Sequence, residues 1–220
     1  MWLRRRAAPA PAAAEARAAE RAESPARAGH GAEAPSPWVL RFAARVAPGS
    51  RVLDVACGRG RHARLFAEQG CIVEAVDIDA EAGASLSGLP GVGFLQADIE
   101  GGPWPYAGRQ FDAIVVTHYL HRPLLPLLAA ALAPGGLLIY ETFMVGHERF
   151  GRPTNPAFLL RPGELLQWVA GRLAVLAFEQ GEVDRPKPAV VQRICAVRTA
   201  DPARIRLLGC VPPDAPPPAG

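Results

Sequence analysis

The chain has 220 residues, half of them hydrophobic and a fifth charged, with a formal net charge of +3. This length and composition suit one globular domain with a full core and some tail, and exclude a fibrous, collagen-like or wholly disordered polypeptide. The small positive excess does not by itself argue for a nucleic-acid partner.

Residues 1–34 are Ala, Pro, Arg and Glu with almost no large apolar side chain. Such a segment cannot bury enough surface to offset its ordering entropy, and it reads as a disordered arm with transient helix over 12–22. A helix is predicted over 37–46, with Pro37 in its first turn. Residues 51–56 form a compact apolar strand carrying Asp54. Helical spacing over 60–69 puts Ala63, Phe66 and Ala67 on one face, with Gly70 as the stop. A strand over 71–78, a helix over 80–86 and a strand over 92–97 follow. A fourth strand, 111–117, ends at a polar cluster. The helix over 124–132 closes at Pro134-Gly135-Gly136, before a fifth strand over 137–143. A helix over 162–169 precedes the last two strands, 173–178 and 190–197, which have only a polar loop, 181–188, between them. Residues 201–220 read as a Pro-rich tail, leaving 35–200 as the domain.

Continuous apolar strands separated by helices imply a parallel sheet covered on both faces. With right-handed crossovers, the expected fold is α/β: a doubly wound, Rossmann-like, seven-stranded sheet, mostly parallel, with an antiparallel edge hairpin at its C-terminus. The longest apolar stretch, 124–140, is interrupted by Pro126, Pro134, Gly135 and Gly136, so no membrane span is expected. The basic opening, 1–6, lacks an apolar core and is no secretory signal. Glu15, Glu20 and Glu23 argue against an organellar transit peptide. The four cysteines, Cys57, Cys71, Cys195 and Cys210, contain no C-x-x-C pair. Buried free thiols and a reducing, cytoplasmic location are expected, and no metal site.

Ligands of doubly wound folds sit at the carboxyl ends of the strands, so the strand ends carry the chemistry. The first ends in Asp54-Val55-Ala56-Cys57-Gly58-Arg59-Gly60 and opens a helix. Glycines there let the backbone approach a ligand without a Cβ clash. The second ends in Asp77-Ile78-Asp79, where a carboxylate accepts hydrogen bonds from a ribose diol. Asp79 is the better helix cap of the two acids. The third ends at Asp98, where a carboxylate accepts from an adenine amino group. Gly58, Gly60 and Ala63 also spell a dinucleotide fingerprint. However, Asp54 lies inside a strand that is usually apolar in dinucleotide folds, and Arg61 and His62 crowd the place a pyrophosphate needs.

These residues resemble the class I S-adenosylmethionine-dependent methyltransferases, small bacterial type, similar to the tellurite-resistance grouping. Asp54, Ala56, Gly58 and Gly60 take the four places of that family's D-x-G-x-G-x-G loop, with Ala56 replacing the first glycine. The resemblance runs from about Trp38 to Arg198. It implies that S-adenosylmethionine is the cofactor. Asp54, Ala56, Cys57, Gly58 and Gly60 would hold its methionine part. Asp77 and Ile78 would hold the ribose, Asp98 and Ile99 the adenine, and Thr117 the floor by the sulfonium.

Catalytic candidates follow the fourth strand: His118, Tyr119 and His121, either imidazole being a possible general base. Glu141 after the fifth strand is a candidate to orient substrate or a histidine. Arg152 and Asn155 lie in a long loop, 150–156, that suits a lid. The chain is little more than a catalytic core, which favours a small-molecule or metalloid acceptor and a monomer or homodimer. Nucleic-acid and membrane partners are not expected. Alternatives are an NAD(P)-dependent oxidoreductase, an RNA methyltransferase using the basic arm, and a non-catalytic interaction protein on the same fold.

Overall fold

The computed structural model describes residues 34–205. Nearly all of the arm, the helix over 12–22, Cys210 and most of the tail lie outside the described residues. Among the described residues no helix is long and apolar enough to cross a membrane.

The first helix, α1 (Pro37–Ala43), starts where Pro37 fits its first turn and the Ser36 hydroxyl oxygen accepts the Trp38 N–H at 3.1 Å. Three β–α units follow the expected order. Strand β1 (Arg51–Val55) leads to α2 (Arg61–Glu68), and β2 (Ile72–Asp77) leads to α3 (Ala80–Leu86). Asp79 caps α3, accepting the Glu81 N–H at 2.9 Å. Strand β3 (Val92–Gln96) is followed by β4 (Phe111–Thr117), α4 (Leu125–Ala131) and β5 (Leu132–Phe143). Helix α5 (Glu164–Val169) precedes β6 (Ala174–Val183) and β7 (Ala189–Val197).

The seven strands form one sheet in the order β3-β2-β1-β4-β5-β7-β6. β1 to β5 are parallel, while β7 runs antiparallel to both β5 and β6. This is the doubly wound, mostly parallel sheet with a reversed C-terminal pair that the pattern predicts. Strand periodicity sorts the core into two layers. Val52, Ala113, Val115 and Ile139 face Trp38, Phe42, Phe66 and Leu86 of α1–α3. Their neighbours Leu53, Ile114, Val116 and Leu138 face Leu125, Leu128, Leu165 and Val169 of α4 and α5.

Three boundaries differ from expectation by three residues or more. β5 begins five residues early, because the Pro134-Gly135-Gly136 turn stays tied to the sheet: Gly135 N–H donates to Arg198 O and Arg198 N–H donates to Gly136 O. β6 runs on to Val183, so the predicted polar loop shrinks to 184–188. Glu179, Gln180 and Glu182 lie in an edge strand with one partner, which has no need of continuous apolar residues. Helix α1 stops at Ala43 rather than 46.

One ion pair fastens the chain after β4 to α5. Arg122 Nε donates to Glu164 Oε1 at 2.6 Å and Nη2 to Oε2 at 3.0 Å, while Nη1 and Nη2 also donate to the carbonyls of Ala157 and Leu159. Burial opposes the Glu164 charge, but the Arg122 fork and the Arg161 N–H overcome it and bring the carboxyl down to about 2. A folded-state value below the unfolded one stabilises at neutral pH and is lost as pH falls from about 4.3 through 2. Glu164→Gln is expected to cost about 2–3 kcal/mol at pH 7 and to flatten the acid limb. Urea unfolding of both proteins from pH 7 to pH 2 checks this, and equal acid limbs would refute it.

Candidate active site

The carboxyl ends of β1 to β5 share one edge of the sheet. Between β1 and α2 the chain turns through Ala56, Gly58 and Gly60, all at positive φ (51°, 53° and 76°). Two carboxylates hold this turn. Asp54 is 1% exposed and accepts the Ala63 N–H at 3.0 Å. Burial pushes its carboxyl up to about 7, against the lowering effects of that N–H and of the Arg61 charge. Asp77 accepts the Gly58 N–H at 2.9 Å on Oδ2 and the Asp79 N–H at 3.0 Å on Oδ1. Cys57 is buried, its N–H bonded to Val76 O; burial and the nearby Asp54 and Asp77 charges raise its thiol, so it is no thiolate nucleophile.

The two loop glycines differ in function. A Cβ on Gly60 would overlap the Leu86 side chain, so packing requires that glycine. A Cβ on Gly58 would meet nothing within 4 Å, so this backbone borders open space. That open edge, beside a carboxylate whose oxygens each accept one N–H bond and have lone pairs left, fits a ribosyl ligand. Asp98 Oδ1 accepts the N–H groups of Glu100 and Gly101 at 3.1 and 3.0 Å, shaping the third strand tip. Ile78 is half-buried at the β2 tip and Ile99, the residue after Asp98, is buried.

At the β4 tip, His118 has φ +53°, and its N–H donates to Glu141 O at 2.9 Å. Its ring stacks on Phe143 (4.8 Å between centroids), which stacks on His147 (3.9 Å). Arg61 Nη2 lies 3.4 Å from His118 Nδ1. A guanidinium only donates, so Nδ1 accepts and the ring proton of neutral His118 sits on Nε2. His121 Nδ1 lies 3.7 Å from Glu100 Oε2. Tyr119 is 6% exposed, with its buried hydroxyl on the side of the Glu100 carboxylate. Burial raises this phenol above its ordinary range.

Glu141 is tied into a buried chain. It accepts Ser36 Oγ–H at 2.7 Å and Arg193 Nη1–H at 3.3 Å. Ser36 N–H donates to His62 Nε2 at 3.1 Å, which leaves the His62 proton on Nδ1, facing Thr117 Oγ1 at 3.4 Å. Burial, then the Arg61 charge, holds His62 well below its usual value, so it stays neutral. Arg152 is exposed, and its carbonyl accepts from His147 Nε2 at 3.0 Å. Asn155 uses Oδ1 to accept the Ala157 N–H at 2.9 Å. The 144–160 segment is pinned at its base, where Val145 N–H meets Leu160 O and Leu160 N–H meets Phe143 O. Among the described residues no group of three His, Cys, Asp or Glu forms a metal site.

The structure thus gathers Ala56, Gly58, Asp77, Asp98, Thr117 and His118 at adjacent strand tips. Asp54, Glu141 and Asn155 use their carboxyl and amide oxygens on partners within the fold. Sequence reasoning missed Ser36, Glu100 and Arg193. Arg193 could be found only from the β5–β7 register, which sets it opposite Glu141.

Residues 27–174 match a methyltransferase domain family. The protein-L-isoaspartate O-methyltransferase of Gloeobacter violaceus is 31% identical over 125 residues, covering 53% of this chain and 60% of that protein. The chain therefore spans less than two-thirds of that relative. TehB from Haemophilus influenzae has the same fold with a TM-score of 0.62 at 19% identity, over 74% of this chain and 62% of that one. The 1,6-didemethyltoxoflavin-N1-methyltransferase of Burkholderia thailandensis, solved with bound 1,6-didemethyltoxoflavin and S-adenosylhomocysteine, gives 0.56 at 21% identity, over 84% and 83% of the two chains.

Asp54 binds a proton in the folded protein between pH 4 and about 7, where the unfolded chain has lost it. Stability therefore falls as pH rises through that window. Asp54→Asn keeps an acceptor for the Ala63 N–H and removes the titration, so its unfolding midpoint should gain on the wild type as pH rises from 4 to 7. A constant difference across that range would refute the burial argument.

Proposed function

This chain belongs to the methyltransferase domain family, and on that premise we propose that it moves the methyl group of S-adenosylmethionine to a small-molecule or metalloid nucleophile. The observation that carries the reading is the convergence of the open Gly58 turn, Asp77 and Asp98 on three neighbouring strand tips. Asp77 and Ile78 would hold the ribose, Asp98 and the Ile99 backbone the adenine, and the 56–60 turn the methionine part. When bound, the cofactor supplies a methyl group activated by its sulfonium.

The chain's own residues align the acceptor and exclude water, and alignment alone is worth about 7–11 kcal/mol. His118, with its proton on Nε2, orients the acceptor by donating a hydrogen bond. His121, backed by the Glu100 carboxylate, takes a proton where the acceptor loses one. Tyr119 stays protonated and packs the wall between them. A thiolate or carboxylate acceptor needs no base. The exposed Arg152 faces solvent from the 150–156 loop, where an anionic substituent can reach it. The small ligand of the Burkholderia enzyme supports a small acceptor. We place the protein in the cytoplasm, as a monomer or homodimer acting on neither nucleic acid nor membranes; the three buried free thiols among the described residues support a reducing compartment.

Asp77→Ala is expected to weaken S-adenosylhomocysteine binding at least about tenfold, because a charged acceptor is lost; calorimetric titration measures it. Tight NADPH binding in place of the nucleoside, or an unchanged Asp77→Ala affinity, would sink the reading. His118→Ala should slow methyl incorporation into cell-extract metabolites, followed by mass spectrometry for products one methyl group heavier, while leaving S-adenosylhomocysteine affinity nearly unchanged. A collapse of that affinity would move His118 into the cofactor pocket.

A further inference from the structure

The polar series behind the β4 tip runs in one direction. It starts at a backbone N–H, which can only donate: Ser36 N–H gives its hydrogen bond to His62 Nε2 at 3.1 Å. Ser36 is itself fixed, its hydroxyl donating to Glu141 Oε1 at 2.7 Å and accepting the Trp38 N–H at 3.1 Å. His62 is 1% exposed and neutral, because burial and then the Arg61 charge oppose its protonation. Its one ring proton therefore sits on Nδ1. The contact with Thr117 Oγ1 at 3.4 Å then has a defined sense: the imidazole donates and the hydroxyl oxygen accepts. The reverse, a threonine hydroxyl donating inward to the ring, is closed.

Thr117 thus keeps its own proton to give. It ends β4 and is half-buried, while Val115, two residues earlier on the same face, is sealed in the core. Among the described residues its hydroxyl has no partner besides His62. The proton can be satisfied only from the cleft. Water serves while the cleft is open. A ligand that displaces the water must bring a lone pair to this point or leave a donor unpaired, which is costly. A sulfonium is cationic and offers no lone pair to an O–H, so the methyl acceptor must supply it. We infer that Thr117 is a specificity-determining donor of the acceptor site, its hydroxyl turned outward by the buried Ser36–His62 relay, and that it selects an acceptor with a carbonyl, carboxylate or unprotonated ring nitrogen at that point. The inference rests on the methyl-transfer reading proposed above and gives the acceptor a chemical class. His62 acts through Thr117 and is a positioning residue.

Nitrogen-15 NMR of the histidine rings in the full chain reads the relay without any variant. His62 should carry its proton on Nδ1 and leave Nε2 bare. A proton on Nε2 would mean that Thr117 donates inward, and would overturn the inference. Thr117→Val keeps the shape and removes the hydroxyl. With labelled S-adenosylmethionine and cell-extract metabolites it should transfer label at least about tenfold more slowly than the wild type, while binding S-adenosylhomocysteine within about twofold. Thr117→Ser should recover most of the rate. His62→Gln can still accept from Ser36 and donate to Thr117, and should also keep most of it, whereas His62→Leu should lose as much as Thr117→Val. Rates are taken per S-adenosylhomocysteine site titrated, so a poorly folded variant is not mistaken for a slow one. Label transfer by Thr117→Val or His62→Leu at the wild-type rate would overturn the inference. A tenfold loss of S-adenosylhomocysteine affinity in Thr117→Val would give the hydroxyl to the cofactor instead. If the wild type neither binds S-adenosylhomocysteine nor transfers label, the methyl-transfer reading fails and this inference falls with it.

Discussion

Two carboxylates beneath one turn organise the cleft. Asp54 grips the first turn of α2 through the Ala63 N–H, and Asp77 grips the turn itself through the Gly58 N–H. Both acids come from parallel neighbours, β1 and β2, so the sheet fixes their separation before any ligand arrives. Asp54 bears the greater cost, since burial takes its charge out of water. Asp77 ends β2, where one oxygen holds the Gly58 N–H and the other the Asp79 N–H. Acids at two adjacent strand tips thus do different work: one builds the turn and the other presents it.

The opposite wall is assembled from distant parts of the chain. Arg193 on β7, Glu141 on β5, Ser36 before α1, His62 in α2 and Thr117 at the β4 tip form one continuous polar series. Each buried member has a partner, which such a network requires inside a low-dielectric core. Ala56 and His118 adopt left-handed backbone angles on either side of the cleft. Non-glycine residues there cost about 1–3 kcal/mol each and persist only where their surroundings over-determine them. Here the Glu141 carbonyl, the Phe143 ring and the Arg61 guanidinium all bear on His118.

The sheet was legible because its central strands are apolar on both faces. Val52 to Val55 and Ala113 to Val116 could be placed without knowing any partner. The acids at the strand tips were legible for the complementary reason: Asp54, Asp77 and Asp98 interrupt or end apolar runs where burial of a charge demands a purpose. β6 was underestimated because an edge strand needs no apolar continuity beyond its inner face. The function of Glu141 was not legible. Its partner Ser36 lies 105 residues away, and only the assembled register brings Arg193 opposite it. Similarly, nothing in Asn155 or Glu164 announces a cap or a clamp until their neighbours are placed. Residues read from strand tips therefore lie together, while of the two read from the loop Asn155 caps its own segment and Arg152 is exposed.

Ser36 sits outside every strand, yet its hydroxyl and its N–H reach Glu141 and His62 at the rim of the cleft. The functional limit of the domain is thus set by one small polar residue rather than by the first apolar side chain of the core. Trimming up to Ala34 would spare this latch. Trimming two residues further would leave the hydrophobic layers whole and take from the His62 imidazole its bond to Ser36. Two shortened proteins of nearly equal stability could therefore differ sharply in the shape of the cleft.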